Sequence, residues 1–398
     1  MIKKFLLSVA LPTFFLVSQD AFSQDMEVKL KGGFDFQGAY YKTNAPKKGQ
    51  FLSANNKNYA FNSSANIAVD VSNKLDSGFK YGARIAIQPT TNNSRKLQST
   101  IYTESKIGRL ELGTDKTAGH KMKITPYSIA SATAGLWDVY AKGDPIGRDL
   151  KQIPYVMNYG SFLDGKMRES GKNEYSRKIT YYTPLFNGFQ FGISYVPDSS
   201  NVGYQGFSET PKHTPVSTGY RYAVRNGFSA GLTYQKDFCE DSFAKISFVG
   251  ETGQVKAKPI DVENKSKLPE LKPRKLRSYN IGGQVQLGQY SFAATYANFM
   301  KSMTFKGQDN SDTHVYGLGA AYKYEKFSTS VTYFASKHRN NKISSVTLGA
   351  DYLVAPGLLP YAEVTYFNSK GRQVNRQDKV RQYSQKGVLV LVGTRVEF

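Results

Sequence analysis

The 398 residues hold 53 Lys+Arg against 31 Asp+Glu, a net charge of +22, and one cysteine. Cys239 by itself excludes an intrachain disulfide framework and any multi-cysteine metal site. No apolar stretch of about 18 residues follows the N-terminal segment, so no membrane-spanning helix is expected, and any membrane form must be a closed β-barrel.

The opening residues MIKKFLLSVALPTFFLVSQDAFS join two lysines to an apolar run from Phe5 to Val17 and end on the small residues Ala21 and Ser23. This is the pattern of a secretory signal peptide, with residues 1–23 removed and residues 24–398 acting outside the cytosol. That leaves 51 basic and 30 acidic residues, a net +21. Export argues against nucleic acid, and points the positive charge at anionic lipid or anionic solutes.

Composition then leans to strand, with 28 Tyr, 25 Phe and 35 Gly. In Glu27–Tyr41, Val28, Leu30, Phe34, Phe36 and Tyr40 fall on one face, and Lys29, Lys31, Asp35 and Gln37 on the other. Period two of this kind predicts a strand with one dry side. Tyr59–Val71 and Gly78–Gln88 repeat it: Phe61, Ile67, Val69 and Val71 oppose Asn62, Asn66 and Asp70, then Phe79, Tyr81, Ile85 and Ile87 oppose Lys80, Arg84 and Gln88. Further strands are expected near 97–106, 109–115, 176–183, 188–196, 219–235, 242–253, 277–287, 289–301, 313–324, 326–336, 343–354, 358–369 and 386–398.

Short connections (SNKLDSG, KIG, TPLFNG, KDFCED, LGQY, YEKF, APG) alternate with longer ones, up to Lys116–Tyr175. Short turns at one rim and long loops at the other describe a transmembrane antiparallel barrel. Arg225-Asn226-Gly227 reads locally as a hairpin turn, which gives an odd strand count. Treating 219–235 as one strand restores the even number that such barrels require, about sixteen. Two loops are strongly basic, Val255–Arg277 and Lys370–Lys386.

The final VLVLVGTRVEF places Val388, Val390, Val392, Thr394, Val396 and Phe398 on one face. That ending, with DYLVAPGLLPYAEVTYF (351–367), GRLELGTDK (108–116) and ITYYTPLFNGFQFGISY (179–195), resembles the general diffusion porins of Gram-negative bacteria along the whole exported chain. The resemblance implies an outer-membrane homotrimer of sixteen-stranded barrels, each with its third loop folded into the lumen as a constriction. It also implies that Phe398 is the assembly signal read by the barrel assembly machinery.

Selectivity in such pores comes from charges at the narrowest point. Lys29, Lys31, Lys80 and Arg84 alternate inward, and the third loop that would face them carries Asp138, Asp144, Asp149 and Asp164. Opposed rows of base and acid would set up a transverse field that orients polar solutes. The family places an arginine cluster on its second to fourth strands, whereas the second strand here offers Asn62 and Asn66. Solvated wall charges without a selectivity role would share the pattern. The basic loops fit lipopolysaccharide phosphates, and tyrosines near strand ends (Tyr40, Tyr41, Tyr181, Tyr182, Tyr195, Tyr234, Tyr322, Tyr366) fit interfacial girdles.

Catalysis finds little support. His120, His213, His314 and His338 are scattered, and no nucleotide loop or HExxH motif occurs. The expectation is a passive, water-filled pore for small hydrophilic solutes and ions, anion-preferring, with neither metal nor cofactor. The alternative is a barrel that acts as a surface adhesin through its basic loops.

Overall fold

The computed structural model describes residues 26–43, 59–88, 96–135, 159–167, 173–200, 220–259, 272–302, 304, 312–338, 341–374 and 380–398. The residues 1–23 read as a signal peptide lie outside them, as do Asp138, Asp144 and Asp149. Among the described residues no helix is long and apolar enough to cross a membrane.

Along the chain come β1 (Glu27–Thr43), β2 (Tyr59–Lys74), β3 (Lys80–Gln88), β4 (Lys96–Ser105) and β5 (Gly108–Thr114). A short helix α1 (Ala118–Met122) and a 3-10 turn (Pro126–Ser128) follow, then a two-stranded hairpin, β6 (Gly165–Met167) and β7 (Asn173–Tyr175). The walls resume with β8 (Arg177–Tyr182), β9 (Phe189–Asp198), β10 (Tyr220–Cys239), β11 (Ser242–Pro259), β12 (Leu276–Leu287) and β13 (Tyr290–Met300). They finish with β14 (Thr313–Tyr324), β15 (Phe327–His338), β16 (Asn341–Tyr352), β17 (Leu358–Val374) and β18 (Val380–Glu397). Each wall strand is antiparallel to its chain neighbour, β5 pairs with β8, and β1 closes on β18, a barrel of sixteen strands.

Burial shows which face is which. Val28, Leu30, Phe61 and Val392 are 59–64% exposed, whereas Ser194 and Thr365 are fully buried and Glu363 is 1% exposed. A water-soluble sheet would do the reverse. A closed barrel crowds its concave side and splays its convex side, so the apolar set points outward and the polar set inward. Because the sheet closes on itself, its described strands have neighbours on both sides, and the ladder satisfies the backbone groups that an open edge would turn to lipid.

Two local readings are refined. The chain through Arg225-Asn226-Gly227 stays in β10. Asn226 takes φ +48° and the register against β11 shifts between Arg225 and Phe228, so the turn-like residues make a bulge. The basic stretches Val255–Arg277 and Lys370–Lys386 are partly wall: β11 runs to Pro259, β12 starts at Leu276, β17 runs to Val374 and β18 starts at Val380. Lysine and arginine stems tolerate a strand when the head reaches water, so charge alone was a poor marker of loop. Of the tyrosines placed in girdles, Tyr40 and Tyr366 face outward at 50% and 47% exposure, while Tyr41 and Tyr182 turn inward and are buried.

Candidate functional site

The described part of the long segment after β5 runs around the inward wall, strand by strand. Ala118 N–H donates to Ser194 Oγ of β9 (2.7 Å) and Ile124 N–H to Ser247 Oγ of β11 (3.1 Å). Ser128 Oγ meets Gln284 of β12 at 3.1 Å, and Ser131 N–H donates to Ser330 Oγ of β15 at 2.7 Å. Ala132 N–H reaches Asp351 Oδ2 of β16 at 2.9 Å. Finally Glu363 Oε2 of β17 accepts from Thr133 N–H (3.1 Å), Thr133 Oγ1 (2.7 Å) and Gly135 N–H (3.2 Å).

Small inward residues make this course possible. A Cβ at Gly282 would stand 2.3 Å from the Ile124 carbonyl oxygen, and one at Gly349 2.9 Å from that of Ser131. The segment's own N–H groups, which have no ladder partner, are thereby satisfied by wall hydroxyls and carboxylates.

A buried charge cluster holds the start of the segment. Asp164 accepts from Thr117 N–H (2.8 Å) and Thr117 Oγ1 (3.0 Å), and from His120 Nδ1. Burial pushes its carboxyl up, but the charge and hydrogen bond of His120, then Lys178 and the Thr117 N–H, outweigh that and hold it at about 2. Asp164 is thus a buried tether, not a charge presented to passing solutes. Lys123 Nζ donates to the Tyr159 carbonyl (2.7 Å), and burial lowers its pKa despite the nearby charges of Glu251 and Asp164. Lys121 Nζ bridges Glu111 (2.6 Å) and Asp115 (2.8 Å).

Across from this segment stand the basic residues picked out in the sequence. Lys29 lies opposite Asp70 on β2, which lies opposite Arg84 on β3; Lys31 faces Ala68, and Lys80 faces Glu104 on β4. All four belong to the face opposite the outward Val28, Leu30 and Ile85. Lys29 pairs with Glu27 at 2.8 Å. Among the described residues no ion pair involves Lys31, Lys80 or Arg84.

The inward carboxylates are mostly engaged. Asp70 accepts from Tyr102 OH (2.7 Å), and Asp35 accepts from Tyr361 OH (2.7 Å) and Arg395 Nε (3.3 Å). Glu104 and Glu111 both hold Arg109, at 3.0 and 2.9 Å, and its guanidinium lies 4.1 Å from the Tyr102 ring centre. The sequence reading missed Arg109, Arg395, Glu111 and Glu363. For Arg109 and Glu111 the signal was present, since both alternate against the outward Leu110 and Leu112 of β5. Glu363 could have been found by the same alternation, between Ala362 and Val364.

Of the four histidines, His213 lies outside the described residues and His120 is paired with Asp164, while His314 Nδ1 lies 2.9 Å from Tyr296 OH and His338 Nδ1 2.8 Å from Thr313 Oγ1. Among the described residues no cluster of His, Cys, Asp or Glu could hold a metal ion. Cys239 is the exposed last residue of β10.

A family model described as Gram-negative porin matches residues 8–372. An uncharacterized protein of Rickettsia bellii (strain RML369-C) is 30% identical over 414 aligned residues, covering 94% of each chain. An outer membrane porin protein of Bordetella pertussis is 24% identical over 229 residues, 56% of this chain and 46% of its own. Among solved structures, an anion-selective porin from Comamonas acidovorans superposes with a TM-score of 0.61 at 17% identity, covering 94% of this chain and 100% of that one. A mutant porin of Rh. blastica gives 0.53 at 12% identity with the same coverage. At these identities the structural likeness is one of fold.

Proposed function

The chain belongs to the Gram-negative porin family, outer-membrane β-barrels, and from that premise we propose that it is a passive, water-filled channel for small hydrophilic solutes with a preference for anions. One observation carries the preference. On the described inward wall Asp35, Glu104 and Glu111 are paired with the guanidinium groups of Arg395 and Arg109, while Lys31, Lys80 and Arg84 form no ion pair. A carboxylate paired with a cation offers little free field to a passing ion, whereas an ammonium or guanidinium outside any ion pair keeps most of its own.

In this reading the segment 116–135 is the first described part of a third loop that narrows the lumen. Its anchors on β11 to β17 lie in the half of the barrel that holds the short turns, the same half as Lys31, Lys80 and Arg84. Lys29, Lys31, Lys80 and Arg84 form the basic wall of the passage, and Asp138, Asp144 and Asp149 belong to the loop that faces it. The wider reading has residues 1–23 removed on export, a homotrimer, and Phe398 as the residue that the barrel assembly machinery recognises. It also places outer-membrane lipid and lipopolysaccharide around the long-loop rim.

Planar-bilayer recording of the exported chain tests this. Stepwise ohmic conductance with a reversal potential of anionic sign under a salt gradient is expected. A cationic sign would overturn the anion preference, and silence from a folded barrel would overturn the channel.

A further inference from the structure

The outward face near the long-loop rim carries an arrangement that folding alone disfavours. Lys337 on β15 lies directly opposite Lys342 on β16, which lies directly opposite Lys370 on β17. His314 on β14 extends the row, opposite Lys337, with Nδ1 engaged by Tyr296 OH at 2.9 Å. All three lysines are exposed, and among the described residues none forms an ion pair with a carboxylate. Directly opposed residues of an antiparallel pair have Cβ atoms about 5 Å apart, and like charges there are destabilising. Opposed lysines in adjacent pairs compound that repulsion.

Their height in the wall says what relieves it. Tyr333, Val346, Tyr366 and Val388 form a registered row on the same outward face, each 38–47% exposed. The next row toward the rim is Ala335, Ser344 and Asn368, with exposed Lys386 of β18 opposite Asn368, and the three lysines follow. Four residues of strand separate Tyr333 from Lys337, about 13 Å along the strand and about 10 Å in height at barrel tilt. Apolar side chains, tyrosine, small residues and lysine is therefore the order met in passing from hydrocarbon through the interface to the headgroups. A lysine stem also lets its ammonium dip back toward the phosphates.

From the opposed lysines and this layering, we infer that Lys337, Lys342 and Lys370 form a binding row for the phosphate of an outer-leaflet lipid headgroup. The inference rests on the outer-membrane barrel reading and adds a specific lipid contact to it. Each lysine near an anionic membrane surface adds to the attraction. A phosphate shared between neighbouring ammonium groups also converts their repulsion into attraction.

The test compares the wild-type exported chain with the Lys337→Gln/Lys342→Gln/Lys370→Gln variant. Both are reconstituted in phosphatidylcholine nanodiscs with or without lipid A. In phosphatidylcholine alone the glutamine variant should unfold at a higher temperature than wild type, because the repulsion is gone. Lipid A should raise the wild-type midpoint in a salt-sensitive way and leave the variant's nearly unchanged. Lipid A retained through a detergent wash, assayed by its glucosamine, should fall several-fold in the variant, and the Lys→Arg counterpart at the three positions should keep it. Equal retention by wild type and the glutamine variant would overturn the proposal, as would a variant less stable than wild type in phosphatidylcholine. Inorganic phosphate that raises the wild-type midpoint as much as lipid A would overturn the lipid assignment. Conductance of the same preparations reports separately on the channel: loss of lipid retention with conductance intact sinks only the lipid row.

Discussion

The ring of Phe398 lies over Gly32, where a Cβ built on the glycine would stand 2.5 Å from the ring's Cζ. Beneath the ring the two backbones exchange hydrogen bonds, Gly32 N–H to the Phe398 carbonyl at 2.8 Å and Phe398 N–H to the Gly32 carbonyl at 3.0 Å. The last residue of the sequence is thus stitched into the β1–β18 seam, and its ring, 64% exposed, takes the outward space that a side chain on β1 would fill.

Gly32→Val should therefore displace the ring and cost about 1–3 kcal/mol, the usual range for overpacking. In a Phe398→Ala background the same substitution should cost much less. A double-mutant cycle on urea unfolding in micelles, with gel mobility of unboiled samples as the readout of closure, checks this. Additive penalties would show that the two residues do not share the space.

Glu363 anchors the far end of the inward segment through a single carboxylate oxygen. Glu363→Ala should leave the Thr133 and Gly135 donors without their partner and cost on the order of 1–3 kcal/mol. Glu363→Gln keeps one acceptor and should cost less. In single-channel records the alanine variant should show greater open-channel noise and a changed conductance, as the segment loses its fixed position.

Asp164 gives a pH dependence of known sign. Its folded-state pKa lies below the ordinary carboxylate range, at about 2. Its contribution is present above the ordinary range and is lost as pH falls from there through about 2. Asp164→Asn keeps an acceptor for Thr117 but removes the charge that His120 and Lys178 hold, a loss on the order of 2 kcal/mol at neutral pH. It should also flatten the stability profile in that acid window. Limited proteolysis of residues 116–135 against pH reads the difference, and identical profiles for wild type and variant would contradict it.

The walls were legible because a two-sided strand writes its faces into alternate positions, as in Val28-Lys29-Leu30-Lys31. Even the odd strand count was resolvable, since closure of the barrel outranks a local turn signal at Asn226, which the chain absorbs as a bulge. The turn read in KDFCED is tighter than its polar composition implied, with Cys239 still in β10 and Ser242 already in β11. The inward segment was not legible in detail. Its contacts join residues far apart in sequence, such as Thr133 with Glu363, and they use serine hydroxyls and backbone N–H groups that carry no periodic signature. Asp164 illustrates the limit. The sequence shows an acid in a long loop, and only the partners Thr117 and His120 show that it is spent on holding that loop.

Loss or reversal of charge on the basic wall should shift selectivity without disturbing the fold. Lys31 and Arg84 form no ion pair among the described residues, so Lys31→Glu and Arg84→Gln remove no internal contact of that kind, and the neutral glutamine sets no like charge opposite Asp70. Each should move the reversal potential toward cations, and the double variant further. Unchanged reversal potentials would place selectivity elsewhere along the passage.

The most direct test is single-channel recording of the refolded exported chain in a planar bilayer, with reversal potential measured under a salt gradient. The account predicts stepwise ohmic conductance and a reversal potential of anionic sign. A demonstrably closed barrel that passes no current would contradict it and leave a surface-binding role for the same fold.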